Sequence, residues 1–256
     1  MQYTFVSSAQ PGPRENEDFV VASADWVLVL DGATPRRGVD SGCRHGVSWV
    51  TRRLAALTTT VLMNEPDCSL GDGLAEAIRA LRRCHGPSCD VDNPDSPSAT
   101  VSLLRHRADV VDYLVLGDSP LILEVRGEVT PIVDERVNQL RDYSVQGVRA
   151  SRNQPDGFWI ASTCPEAALN ALAGSLPASE VSRAAVMTDG VSRYVERFEL
   201  GSWRDLLDEL STSGPLSVIA RVRAAEKALP EFSEQPNGRP LKRHDDATAV
   251  YLEING

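Results

Sequence analysis

The chain has 256 residues, 42% of them hydrophobic and 24% charged, a balance ordinary for a globular protein and long enough for one large domain spanning 1–256. A formal net charge of −10 argues against nucleic acid as a partner and leaves no polybasic surface for anionic lipid. No apolar run approaches the ~20 residues needed to span a bilayer, and Met1 to Ser7 lacks a signal peptide's basic start and apolar core, so a cytoplasmic protein is expected.

Residues 2–8 read as a first strand, and Gln10-Pro11-Gly12-Pro13 turns the chain. Phe19 to Ser23 and Trp26 to Leu30 are joined by only Ala24-Asp25, which predicts a hairpin with Asp18 and Asp31 at the same end. Val27 to Leu30 are all aliphatic, as in a strand buried on both faces. After Pro35-Arg36-Arg37-Gly38, the residues Val39, Cys43, Val47, Val50, Leu54, Leu57 and Val61 recur every three or four positions and predict one long amphipathic helix, stopped at Asn64-Glu65-Pro66. A second helix is expected over about 72–84, followed by a polar loop to Pro97.

Four β signals follow, at 99–104, 110–116, 121–125 and 129–133, and their short connections predict an antiparallel meander. Phe158 to Ser162 reads as a strand and Pro165 to Ala173 as a helix. Residues 181–187 form a strand that runs into Asp189. Trp203, Leu206, Leu207 and Leu210 mark one helix, and Leu216, Ile219, Val222 and Leu229 mark another. A polar loop, 230–240, leads to a last strand beginning at Ala247. The order of elements indicates an α+β layered domain of two antiparallel sheets packed face to face with helices outside.

Acidic residues punctuate the strand ends. Asp31-Gly32 closes one strand, Asp189-Gly190 closes another, Glu17-Asp18 opens a third and Asp245-Asp246 precedes the last. Buried charges of this kind need a cation, and oxygen donors without His or Cys at ligand spacing suit Mg²⁺ or Mn²⁺. The five cysteines, Cys43, Cys68, Cys84, Cys89 and Cys164, are odd in number and irregularly spaced, which argues against a disulfide framework. Cys84-His85 with Cys89 offers only three metal ligands and no matching pair elsewhere, so that stretch reads as a helix end and a loop.

The sequence Asn16-Glu17-Asp18, Asp31-Gly32, Ser98-Ala99-Thr100, Gly117-Asp118-Ser119, Thr188-Asp189-Gly190 and Asp245-Asp246-Ala247-Thr248 resembles the metal-dependent Ser/Thr protein phosphatases of the PP2C (PPM) family, bacterial type. The resemblance runs from about residue 5 to 253. It implies an α-β-β-α sandwich and hydrolysis of phosphoserine and phosphothreonine in phosphoprotein substrates by a metal-activated water. It further implies two Mn²⁺ or Mg²⁺ ions, bridged by Asp31, with the Gly32 carbonyl, Asp189, Asp245 and Asp18 as further ligands and Asp118 holding a third, weaker ion. Two such metals about 3.5–4 Å apart supply a hydroxide at neutral pH and neutralise the phosphate. Arg14 is the candidate for orienting that phosphate.

Some residues depart from the family pattern. The phosphate-binding Arg usually stands five residues before the Asp of the Glu-Asp pair, whereas Arg14 stands four before Asp18. In a strand that offset turns a side chain to the other face, so a bulge must correct it or Arg36 or Arg37 must serve. Ala33-Thr34-Pro35 follows Gly32 without the His of some members, leaving the general acid unassigned; His45 and His244 could donate a proton, though each reads first as an ordinary structural or surface histidine. Asp246 replaces a frequent Asn and adds negative charge that raises neighbouring pKa values, and it competes with Asp245 as the ligand. One of Phe158 and Trp159 could face substrate, the other being core by alternation. The alternatives to a protein phosphatase are a weak or inactive relative that binds a phosphorylated partner, and a small-molecule phosphatase.

Overall fold

The computed structural model describes residues 1–35, 38–230, 232–234 and 239–254. One sheet has the order β2 (Phe19–Ala22), β3 (Trp26–Ala33), β4 (Ser98–Arg107), β5 (Val110–Leu116) and β8 (Leu172–Pro177). The other has β1 (Gln2–Ser8), β12 (Ala247–Glu253), β9 (Val181–Met187), β6 (Leu121–Val125) and β7 (Glu128–Ile132). Every strand pairing in both is antiparallel. The α+β sandwich expected from the sequence is therefore present.

Strand alternation builds three layers of core. Val27 and Val29 of β3 point between the sheets, where they join Val111, Val115, Leu123, Val186, Val250 and Leu252. The intervening Trp26, Leu28 and Leu30 point outward against α1 (Val47–Asn64) and α2 (Leu70–Cys84), packing with Val50, Leu54, Leu74 and Ile78. The outer face of the other sheet meets α5 (Asp189–Glu196), α6 (Trp203–Ser213) and α7 (Pro215–Glu226) through Met187, Tyr194, Leu207 and Val222. Each aliphatic side chain so buried contributes about 1.5–3 kcal/mol relative to exposure. That is why β3 reads as an unbroken apolar run.

Several elements differ from the sequence reading. The first helix begins at Val47, and Val39 and Cys43 lie in the preceding loop. Gly42 takes φ +63° there, and Gly46 is the N-cap, so the helical spacing before Val47 is accidental. The four middle strands are two hairpins rather than one meander, because Gly117 (φ +87°) to Pro120 carries the chain from one sheet to the other. Phe158 to Ser162 makes only isolated bridges, and the helix after Pro165 is one turn, α4 (Glu166–Leu169), followed by the unexpected edge strand β8. Within 134–155 lies α3 (Val145–Ser151). The 230–240 stretch contains β10 (Phe232–Glu234) and the start of β11 (Pro240–Lys242), a two-stranded ribbon; its remaining loop falls partly outside the described residues. Among the described residues no helix is long and apolar enough to cross a membrane.

Candidate metal centre

Two carboxylates come from each sheet. Phe19 pairs with Leu30, so Asp18 and Asp31 are the next residues on their two strands at the same end of the hairpin. Met187 pairs with Ala249, which brings Asp189, at the start of α5, beside Asp245, two residues before β12. The sheets are stitched together at this end by threonines. Thr188 Oγ1 and Thr248 Oγ1 donate to Asp18 Oδ2 at 2.9 and 2.8 Å, and Thr248 N donates to Thr188 Oγ1 at 3.0 Å.

The glycines of the Asp-Gly pairs have a steric reason. A Cβ on Gly32 would stand 2.4 Å from Val47 Cγ1 and 2.8 Å from Glu17, and one on Gly190 would stand 1.8 Å from the Asp246 carbonyl oxygen. Only glycine lets these segments close around the acidic residues.

Charge has accumulated here. Burial pushes Asp31 well above the ordinary carboxylate range, and the charges of Asp189, Asp18, Asp245 and Asp118 push it further. Burial likewise raises Asp18 to about 8, with Asp246 and Asp189 adding to it, against the threonine hydrogen bonds that favour its charge. Asp189 is raised to about 6 by burial and then by Asp245. Among the described residues, Asp18 Oδ1 is buried with no hydrogen-bond partner. A buried carboxylate oxygen left this way costs free energy unless a cation meets it. The donor set is all oxygen, carboxylate in the main, and suits Mg²⁺ or Mn²⁺. No three of these carboxylates bring an oxygen each within 4.8 Å of one another among the described residues, so they frame a wider space than one compact shell.

Among the described residues, two cations contact Asp245. Arg193 Nη2 donates to Asp245 Oδ2 at 2.6 Å, and Lys242 Nζ donates to Asp245 Oδ1 at 3.1 Å. Burial works against the Lys242 charge, but Asp245, Asp189 and Asp31 outweigh it and hold the ammonium above its ordinary value. Arg193 also pairs with the fully buried Glu226, which Arg223 and His244 contact as well. Neither Lys242 nor Arg193 stood out in the sequence. The signal was available for Lys242, which stands three residues before Asp245.

The other expected residues divide. Asp118, after the left-handed Gly117, is half-buried and ion-paired with Arg239 at 2.9 Å. Asp246 accepts from the backbone of Gln10 and Glu17 at 2.8 Å each, so it braces the loop carrying Asp18 while Asp245 faces the cluster; its charge also pushes Asp18 and Glu17 up. Arg14 is exposed in the irregular loop 9–18, where the strand-face argument about its offset does not apply. Arg36 and Arg37 lie outside the described residues. His244 is bound to Glu226 at 2.6 Å, and His45 lies beside Cys43 and Cys89. Phe158 and Trp159 are both buried, so neither offers a wall to substrate.

The protein phosphatase 2C family model matches residues 15–232. No curated protein gives a significant match. Among solved structures, the chain is similar to the serine/threonine phosphatase PstP/Ppp of Mycobacterium tuberculosis, at 15% identity and a TM-score of 0.65, covering 100% of this chain and 99% of that one. The catalytic domain of PstP in complex with two manganese ions matches at 16% identity and a TM-score of 0.61, covering 98% of this chain and 97% of that one. PppA of Pseudomonas aeruginosa, a key regulatory component of a type VI secretion system, matches at 20% identity and a TM-score of 0.57, covering 98% and 96%. At these identities the likeness establishes the fold, and the family model establishes more: this chain belongs to the protein phosphatase 2C family.

Proposed function

We propose that this chain is a metal-dependent phosphomonoesterase acting on phosphoserine and phosphothreonine in proteins, with its whole length serving as one catalytic domain. The observation that carries the reading is the buried, unpartnered Asp18 Oδ1 at the edge of carboxylates that raise one another's pKa. Asp31, the Gly32 carbonyl, Asp18, Asp189 and Asp245 would hold two Mn²⁺ or Mg²⁺ ions, and Asp118 a third. When bound, such ions activate water and neutralise charge on a phosphate.

The chain's own residues set the stage for that chemistry. Thr188 and Thr248 fix one oxygen of Asp18 and leave the other for a cation. Arg193, anchored by Glu226, fixes Asp245. Arg14, exposed on the loop that leads to Asp18, is offered to orient a phosphate on a protein surface, where a guanidinium can bind two oxygens at once.

A second reading rests on Lys242. An ammonium among Asp31, Asp189 and Asp245 balances charge that a metal would otherwise balance, which suits a weak or inactive relative that binds a phosphorylated partner. The deciding experiment adds Mn²⁺ to metal-stripped protein and follows p-nitrophenyl phosphate and a phosphothreonine peptide, beside Asp189→Ala. Metal-dependent turnover lost in the variant supports the enzyme, and a preference for the peptide supports protein substrates. Absence of metal binding supports the second reading, in which Lys242 balances the charge, and overturns the metal-site assignment, whereas metal binding without turnover points to a weak or inactive relative in which Lys242 does not replace the metal.

A further inference from the structure

A second cluster lies apart from the carboxylates. Among the described residues, Cys43, His45, His85 and Cys89 are the set whose ligand atoms all lie within 4.8 Å of one another. Cys43 Sγ is 3.5 Å from Nδ1 of both His45 and His85 and 3.6 Å from Cys89 Sγ, and Cys89 Sγ is 3.6 Å from His45 Nδ1. Tetrahedral zinc with Zn–S about 2.3 Å and Zn–N about 2.0–2.1 Å has ligand-to-ligand edges of about 3.4–3.8 Å. Four of the six edges therefore already have the dimensions of a zinc shell, and the whole set lies within 4.8 Å. A disulfide between Cys43 and Cys89 would need their sulfurs at about 2.0 Å, and both thiols are free.

The sequence brings these ligands together through the helix pair. α1 and α2 are joined by only a short turn, residues 65–69, so the loop entering α1 and the loop leaving α2 meet at one end. Cys43-x-His45 supplies one pair and His85-x-x-x-Cys89 the other, while the adjacent Cys84 is exposed and stands outside the set. Backbone and rings hold the arrangement. Asp90 N donates to Gly42 O at 2.7 Å, and the backbone N–H of His45 donates to Cys43 Sγ at 3.4 Å, a bond that favours a thiolate. Trp49 stacks on His45 with centroids 3.9 Å apart and meets the His85 ring edge-on at 5.1 Å. His85 Nε2 is buried without a hydrogen-bond partner among the described residues, so the polar contacts of this ring are concentrated at Nδ1. Burial also lowers both histidines from their ordinary values, which favours the neutral imidazole a metal requires.

We propose that Cys43, His45, His85 and Cys89 form a structural Cys₂His₂ zinc site that ties the loop between β3 and α1 to the loop after α2. The two-nitrogen, two-sulfur tetrahedral set selects zinc, and four protein ligands leave no open position for catalysis. Binding releases the two thiol protons, and two thiolates with Zn²⁺ and two neutral imidazoles give a site of zero net charge. The loop it ties is the one that leaves Asp31-Gly32, so the zinc steadies the carboxylate centre from outside it. The inference does not depend on the phosphatase reading.

The test uses the full chain, purified without chelator or a histidine tag. Elemental analysis should find one zinc per chain in the wild type and in Asp189→Ala, and none in Cys43→Ser/Cys89→Ser. To keep the test independent of the folding of that double variant, wild-type protein is also stripped and refilled with Co²⁺ alone. Tetrahedral ligand-field bands with a thiolate-to-cobalt charge-transfer band, and quenching of Trp49 fluorescence that Trp49→Phe abolishes, are expected. Absence of zinc together with absence of those bands overturns the proposal. So does a Cys43–Cys89 disulfide found by mass spectrometry in the freshly isolated protein, which would make the pair redox-active.

Discussion

Lys242 Nζ stands 3.1 Å from Asp245 Oδ1, an ammonium placed against a carboxylate that the family pattern assigns to metal. The Lys242 side chain is 48% exposed, whereas that of Arg193, on the other oxygen of Asp245, is 10% exposed and anchored by Glu226. Lys242 can therefore swing into water when a cation arrives, and Arg193 cannot. On the proposed reading of Asp245 as a metal ligand, the lysine is a competitor for the site and the arginine part of its frame.

That competition has a measurable size. Lys242→Met keeps an unbranched side chain one atom shorter and removes the charge, and it should tighten Mn²⁺ binding about tenfold, equivalent to about 1.4 kcal/mol. Isothermal titration of metal-stripped protein reads it directly. Unchanged affinity would show that the ammonium does not oppose the metal, and weaker affinity would make Lys242 a support for the ligands.

Asp31 is the carboxylate most crowded by its neighbours' charges, with Asp189, Asp18, Asp245 and Asp118 all raising it. Asp31→Asn replaces a carboxyl that must take up a proton to be buried here with a neutral amide, so the metal-free protein should melt at a higher temperature than wild type at neutral pH. The same change should abolish the stabilisation by Mn²⁺, which for the wild type is about 2.7 kcal/mol at a metal concentration of 100 times Kd. Thermal melts with and without Mn²⁺ test both halves. A variant that is destabilised without metal and still stabilised by it would remove Asp31 from the centre.

The sandwich was legible because its signals are local. The aliphatic run Val27–Leu30 fixes a strand, the two-residue connection before it a hairpin and the apolar spacing over 203–222 two helices, and the structure contains them all. The acidic positions were legible because each ends or precedes such a strand. What the sequence concealed is non-local. Cys43 continues a helical spacing that Gly42 and Gly46 interrupt, and its partners His85 and Cys89 are brought to it only by the helix pair. Arg193 meets Asp245 through the pairing of β9 with β12, which no spacing within one segment reports, whereas Lys242, three residues before Asp245, was within reach of local spacing. The crossing at Gly117 was hidden because a tight turn within a sheet and a step between sheets use the same residues.

Asp18 gives the metal-free protein a pH dependence of defined sign. Its folded-state pKa of about 8 lies above the ordinary carboxylate value, so between those limits the folded chain binds a proton that the unfolded chain does not. Stability is then highest below the unfolded value and falls as pH rises towards the folded one, by at most about 1.4 kcal/mol per pH unit. Metal-free wild type should accordingly be less stable at pH 8 than at pH 6, and Asp18→Asn should flatten the slope. Urea denaturation at the two pH values measures it. A slope that Asp18→Asn leaves unchanged would mean that Asp18 is ionised in the folded state without metal.

Gly190 makes the sharpest steric prediction. An added Cβ would fall 1.8 Å from the carbonyl oxygen of Asp246, a contact with backbone that no rotamer relieves. Gly190→Ala must therefore push α5 away from the segment leading into β12, separating Asp189 from Asp245. A loss of about 3 kcal/mol or more is expected, in the class of overpacked cores, together with weakened Mn²⁺ binding. Gly71→Ala is the matching control, since its nearest neighbour, the Ala168 carbonyl oxygen, is 3.6 Å away and the residue lies in the first turn of α2. There the substitution should stabilise by about 0.4–1 kcal/mol, by restricting the unfolded chain. Chemical denaturation of the pair separates the two effects, because helix propensity favours alanine at both positions and only the Asp246 carbonyl opposes it at one. Equal outcomes at the two sites would show that α5 can shift without cost, and that the approach of Asp189 to Asp245 is not held by this glycine.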